Sequence, residues 1–185
     1  MVGGWYVSGI FSARSGDPLT VTQGPGVWGG SLNLNFSSGA IPTVDPLSFG
    51  NSVNSNIAGS NNIGINGNPA TRGTGLSLFG NPEQVYKSFR RVNVSTDRRA
   101  GRANPLRGLP RWNMDMSLGK KTTIKERLNV TFALDFFNLT NHVDFANPGL
   151  SLTDPRAFGV ITSQFVPPDR VSGSRWIQFG MRIEF

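Results

Sequence analysis

Hydrophobic and polar positions alternate along four stretches of this chain and almost nowhere else. In residues 4–14, GWYVSGIFSAR, Trp5, Val7, Phe11 and Ala13 fall on one side of a period-two pattern, and Tyr6, Ser8, Ile10, Ser12 and Arg14 on the other. In residues 111–120, RWNMDMSLGK, Trp112, Met114, Met116 and Leu118 alternate with Asn113, Asp115, Ser117 and Gly119. In residues 127–138, RLNVTFALDFFN, Leu128, Val130, Phe132, Leu134 and Phe136 alternate with Asn129, Thr131, Ala133 and Asp135. In residues 175–185, RWIQFGMRIEF, Ile177, Phe179, Met181, Ile183 and Phe185 alternate with Gln178, Gly180, Arg182 and Glu184. Successive side chains of a strand point to opposite faces, so each stretch predicts a β-strand with one apolar and one polar face. The last of them runs to the final residue, an aromatic, although chain ends ordinarily fray and accept polarity.

Each predicted strand is about ten residues long, against about five or six in globular domains. Tilted, that length crosses a bilayer. The second and third strands are joined by a short predicted turn, KTTIKE, residues 121–126, whereas the connections 15–110 and 139–174 are long. Short turns on one side and long loops on the other are the habit of outer-membrane barrels. With the chain end on the periplasmic side, the short turn is also periplasmic and both long connections are extracellular. Trp112 and Phe136 then fall near the outer interface, Trp5 and Phe185 near the inner one, as two aromatic girdles require. The pattern therefore predicts an all-β fold: part of an antiparallel transmembrane β-barrel with long extracellular loops.

Composition sharpens this picture. Hydrophobic residues make up 37% of the chain, with 23 Gly and 12 Pro among its 185 residues, below the roughly 45–50% usual in globular domains. A large buried core is not expected, and the long connections are expected to be irregular. Residues 15–110 are rich in Gly, Asn and Ser, and unpatterned segments of such length are usually functional or disordered. Within them one short helix is predicted at NPEQVYKSFRRV, residues 81–92, with Asn81 as cap, Pro82 in the first turn, and Val85, Phe89 and Val92 on one face. TDPRAFG, residues 153–159, suits one more helical turn. There is no cysteine, which excludes disulfides and thiolate metal sites. No run approaches the ~20 apolar residues of a membrane helix. The opening MVGGWYVSGIF has no basic n-region or cleavable h-region, so no signal peptide is expected within this sequence.

Tests for chemistry are mostly negative. GPGVWG, residues 24–29, fits G-x-G-x-x-G, but no helix follows to offer a phosphate-binding N-terminus. His142 is the only histidine and reads as a loop residue; with scattered carboxylates it makes no metal site or proton relay. Asp115 and Asp135 lie on the polar side of neighbouring strands, where carboxylates facing a water-filled lumen need no catalytic explanation. No catalytic residue, cofactor or metal site is expected. The net charge is +7, and its densest part is residues 87–111: Lys87, Arg90, Arg91, Arg98, Arg99, Arg102, Arg107 and Arg111 against the single acid Asp97. In an extracellular loop, Arg90, Arg91, Arg98, Arg99 and Arg102 would meet lipopolysaccharide phosphates or draw in anionic solutes. Four N-x-[ST] sequons start at Asn35, Asn93, Asn129 and Asn138; two fall in predicted strands, against use as glycan sites.

Longer motifs carry a family resemblance. GWYVSGIFSARSGDPLTV, residues 4–21, resembles the G-W-x-x-S-G-I…S-G-x-P-[FL]-T-V strand of TonB-dependent outer-membrane receptors of the Oar-like branch. RWNMDMSLGKKTTIKERLNVTFALDFFNLTNHVDFANP, residues 111–148, is similar to that branch's W-x-x-D-x-S-[LF]-x-K…E-R…F-x-x-[ED]-x-F-N-x-x-N-H-x-x-F-x-x-P. FGVITS, residues 158–163, resembles its last outer loop, and residues 175–185 its R-x-[IL]-Q-F-[GA]-x-[RK]-[IL]-x-F ending. Ala133 departs from the pattern, where a longer polar residue is common.

The resemblance implies a barrel of about 22 strands around a plugged lumen, of which this sequence would supply the last four strands, near 4–14, 111–120, 127–138 and 175–185. No match to the plug, its TonB-contacting box or a signal peptide is found, so the chain is expected to be a C-terminal piece, inactive alone, of an outer-membrane importer of large or scarce substrates. Its last strand would close the barrel, with Phe179, Met181, Ile183 and Phe185 as the signal read by the barrel-assembly machinery. Asn113, Asp115, Asn129, Thr131, Asp135, Gln178 and Arg182 would form the lumen wall. Expected partners are outer-membrane lipid and lipopolysaccharide, the assembly machinery, the rest of the receptor and, through the plug, TonB. Two other readings compete. A soluble extracellular binding or adhesion module would need a second sheet over the apolar faces. Nucleic-acid binding through residues 87–111 would be salt-dependent.

Overall fold

The computed structural model of the protein describes residues 3–23, 39–45, 61–97, 105–124 and 128–185. Its strands are β1 (Trp5–Arg14), β2 (Pro18–Leu19), β3 (Ile41–Pro42), β4 (Leu76–Ser77), β5 (Phe89–Arg90), β6 (Leu106–Arg107), β7 (Arg111–Ile124), β8 (Leu128–Phe137), β9 (Val160–Ile161) and β10 (Trp176–Glu184). Two short helices, α1 (Pro82–Lys87) and α2 (Val94–Asp97), complete the regular α-structure. The chain divides into two compact units.

The first unit comprises Met1–Arg14, Arg111–Asp144 and Gln164–Phe185. It holds an antiparallel sheet in the order β1-β7-β8-β10, built from the four strands that the alternation predicts. Register aligns the apolar positions into rows across the sheet, with Gly9 and Lys120 as the exceptions in the first three. Trp5, Lys120, Phe132 and Met181 form one row, Val7, Leu118, Leu134 and Phe179 the next, and Gly9, Met116, Phe136 and Ile177 a third. This face stays open: Val7, Phe11, Phe179, Met181 and Ile183 are all at least half exposed. The opposite face carries the rows Ser8, Ser117, Asp135, Gln178 and Lys121, Thr131, Arg182. A slip of one residue would exchange the faces entirely, so the two-sided pattern fixes the register.

Two expectations need correction here. Residues 121–124, expected in a turn, continue β7: Lys121 pairs with Thr131, Thr122 with Val130 and Ile124 with Leu128. Two threonines and an isoleucine favour the extended backbone, so the strand runs 14 residues; residues 125 and 126 of the expected turn lie outside the described residues. At the other end, β10 stops at Glu184, and Phe185 is fully exposed beyond it.

The second unit comprises Ser15–Pro110 and Phe145–Ser163. It corrects the expectation of irregular loops without a core. Leu19, Val21, Leu78, Phe79, Val85, Phe89, Leu150, Leu152 and Phe158 belong to one buried cluster. Three two-residue ladders tie it together: β2 with β6, β3 with β5, and β4 with β9. Phe158 stacks on Phe79 and meets the Tyr86 ring edge-on at 5.1 Å, while the Tyr86 hydroxyl donates to the Leu152 carbonyl at 2.8 Å. The predicted cap holds: Asn81 Oδ1 accepts from the Gln84 amide at 3.0 Å, with Pro82 in the first turn. The helix is shorter than predicted because Phe89–Arg90 leaves to pair with β3; Val85, Phe89 and Val92 are buried nonetheless. Residues 153–159 form a hydrogen-bonded turn instead of a helix, with Asp154 Oδ1 accepting from the Ala157 amide. The motif at 24–29 lies outside the described residues.

Candidate functional site

All seven residues expected on the lumen wall share the polar face of the first unit. The structure joins some and leaves others apart. Asp115 is the hub. Its Oδ1 accepts from the Asn138 amide and from Asn113 Nδ2, both at 2.8 Å, and its Oδ2 accepts from Arg170 Nη2 at 2.5 Å. Arg170 reaches this carboxylate from the 164–175 segment, its side chain only 13% exposed. Removing such a guanidinium from water is offset by a charge-assisted bond and by the two further donors on the carboxylate. One strand away, the Ser117 hydroxyl donates to Asp135 Oδ1 at 2.5 Å. The two aspartates therefore have separate partners and form no acid pair. Asn129 accepts from the Thr123 hydroxyl at 2.7 Å, and Arg182 pairs with Glu184 at 2.8 Å. Gln178 is exposed beside Asp135.

The end of β8 is fixed by FNLTNH. Asn138 is 3% exposed, with φ +53°. Asparagine tolerates this left-handed conformation better than other branched residues. Its Nδ2 donates to the carbonyls of His142 and Gly173, and its Oδ1 accepts from the His142 amide. Asn141, also at φ +53°, accepts through Oδ1 from the Arg175 amide at 3.0 Å. Two asparagines thus clamp the start of β10 to the end of β8. His142 is the expected loop residue, stacked on the Trp112 indole at 4.2 Å and 3.5 Å from Asp144. Arg14 and Arg111, facing partners on β1 and β7, both lie over the Phe165 ring, at 5.1 and 4.0 Å.

Several side chains of this region are absent from the sequence-based expectation: Asn138 as a clamp, Arg170, Arg175, and the Phe137–Trp176 pair. The F-N-x-x-N-H spacing is a local signal for the clamp. Arg170 sits in the unpatterned stretch PPDRVSGS, which offers none, whereas Arg175 opens the alternating terminal strand, whose pattern speaks for a strand and not for a binding role.

Phe179, Met181 and Ile183, expected as the assembly signal, line up on the apolar face. Of the expected anion contacts, Arg98, Arg99 and Arg102 lie outside the described residues. Arg91 is exposed. Arg90 forms a fork with Asp97, both bonds 2.6 Å, and that bond to the carboxylate raises the guanidinium's pKa further; its charge is already matched.

The comparisons with curated proteins and with solved structures give no match. A family model described as outer membrane beta barrel domain matches residues 1–178. The two-faced antiparallel sheet and the family match point the same way, and the chain belongs to the outer membrane beta barrel domain family.

Proposed function

We propose that this chain forms one wall of a TonB-dependent outer-membrane transporter of the Oar-like branch, which imports a solute too large or scarce for simple pores. The observation that carries the reading is the two-faced sheet: four strands whose apolar face leaves Val7, Phe11, Phe179, Met181 and Ile183 at least half exposed, with Val130 buried, and a fixed ionic network on the other face. A soluble module would bury the first face; a bilayer is the solvent that accepts it. Among the described residues β1 and β10 each have one sheet neighbour. Unpaired strand edges are not tolerated in lipid, so the working barrel needs further strands beside both. The polar face then lines the lumen, β10 presents Phe179, Met181 and Ile183, with Phe185 just beyond it, to the assembly machinery, and Arg91 with its basic neighbours meets lipopolysaccharide.

The test is cysteine labelling in outer membranes of cells producing the full protein. Cysteines replacing Gln178 and Thr131 should react with a water-soluble maleimide, and cysteines replacing Phe179 and Leu134 only with a lipid-soluble one. Equal aqueous labelling of both sets would sink the barrel wall. TonB copurifying with the membrane-extracted protein supports energised transport; its absence under crosslinking would leave a barrel without that drive.

A further inference from the structure

Where β8 and β10 meet the 164–175 segment, a cavity of about 350 Å³ opens on the polar face, lined by Phe137, Trp176, Arg170, Arg175, Ser172 and Ser174 among others. We infer that this cavity binds an acidic sugar unit of an oligosaccharide. Three observations carry it. Phe137 and Trp176 are cross-strand partners whose rings lie 5.2 Å apart and 24° from parallel. The two rings stack on a face that also carries Asn129, Thr131, Asp135, Gln178 and Arg182, and Trp176 remains 59% exposed, a flat apolar ring open to solvent. Large aromatics with exposed faces recognise ligands through flat apolar surfaces, and a pyranose ring offers such a surface on its C–H side.

Charge supplies the second observation. Among the described residues, two guanidiniums and no carboxylate line the cavity. Arg170 is held in place by Asp115 and Asn113, with its guanidinium carbon 5.7 Å from the Phe137 ring centre; its charge is matched by Asp115, its buried Nε has no partner among the described residues, and Arg175 is the cation left to meet an anion. The Arg175 guanidinium next to the exposed Trp176 ring suits a sugar ring that carries a carboxylate or sulfate. Thirdly, Ser172 Oγ accepts from the Ser174 amide at 3.1 Å, which leaves its hydroxyl hydrogen free to donate to a sugar oxygen. The cavity volume lies near the lower end of the roughly 300–1,000 Å³ of ligand sites, which suits a single sugar unit of a longer chain. As a transport subsite the cavity rests on the lumen assignment proposed above; as a binding site it does not.

The full chain, refolded in detergent micelles, would be titrated calorimetrically with tri-galacturonate, maltotriose and benzoate. Saturable binding of tri-galacturonate, at least about tenfold tighter than of the neutral sugar or the aromatic acid, is expected. Arg175→Gln and Trp176→Leu should each weaken it about tenfold or more, with the β-sheet circular dichroism unchanged. Equal affinity for maltotriose or benzoate, no binding by the folded chain, or unchanged affinity in both variants would overturn the site. A chain that binds tri-galacturonate yet stays out of the outer membrane would overturn the barrel wall and leave this site standing.

Discussion

At the scale of single residues, Asn138 has the most to lose. It combines a left-handed backbone with side-chain bonds to His142 and Gly173. Asn138→Ala removes the bonds, strands two carbonyls and an amide, and keeps an unfavourable φ for a residue with a Cβ. Asn138→Gly removes the same bonds but relieves the backbone. We expect the alanine variant to lose about 2–4 kcal/mol and the glycine variant about 1 kcal/mol less than that. Denaturant titration in micelles would measure both. If the two variants match, the conformation at 138 contributes nothing. Glu83 makes a smaller point. Its hydrogen bond from Lys87, and then that from Asn61, hold its carboxyl below the ordinary glutamate value. A depressed folded pKa contributes stability that is present above the unfolded value and lost as pH falls through the folded one. Glu83→Gln should therefore lower the stability of the second unit near neutral pH and change nothing once the solution is acid enough to protonate Glu83. A difference that persists at the acid end would mean that packing, not charge, is responsible.

At the scale of elements, the polar face has one place where side-chain size decides the geometry. Tyr6 lies across Gly119 so closely that a Cβ there would stand 2.0 Å from the tyrosine Cζ, and the row continues through Ala133 and Gly180. Gly119→Val should cost about 1–3 kcal/mol through overpacking, and most of the loss should vanish in a Tyr6→Ala background because the two sites share one space. Additive costs in the double variant would refute the contact. The same row gives Ala133 its meaning: the departure from the family pattern sits where neighbouring residues are also small. The long strands were legible because alternation over ten positions is a strong signal, and because every apolar row continues across the sheet. Their ends were less so: Lys121–Ile124 reads as a polar turn until its pairing with β8 is seen. The second unit was illegible for a different reason. Leu19, Leu78, Phe79, Phe158 and Ile161 come from distant parts of the chain and share no period, so only the fold brings them together. Arg170 likewise meets Asp115 across 55 positions, a separation to which no local pattern is sensitive.

At the scale of the whole molecule, Lys120 marks a depth. It is the single charged side chain on the apolar face of the four paired strands, and its Nζ lies 4.8 Å from the Trp5 ring centre. A lysine facing lipid is tolerated where its ammonium reaches the interface along an aromatic girdle. From Trp112 to Lys120 a strand tilted by about 40° rises roughly 20 Å, close to the roughly 25 Å of an outer-membrane apolar band. On the proposed barrel the two tryptophan levels bracket the hydrocarbon, and Met116 lies midway between them with its cross-strand partner Phe136, which the alternation alone sets near the outer interface beside Trp112. A lysine scan turns this into a measurement. Phe132→Lys, in the row of Lys120, should cost about 0–1 kcal/mol in unfolding from lipid vesicles, and Met116→Lys about 2–4 kcal/mol. Leu134→Lys, one row inward from Phe132, should fall between them. A soluble sheet predicts another order, because lysine on an exposed apolar face in water improves solubility and costs little at any depth. If the three substitutions have equal effects, the apolar face does not meet a bilayer; if the cost peaks at Met116, the face carries the membrane's own profile.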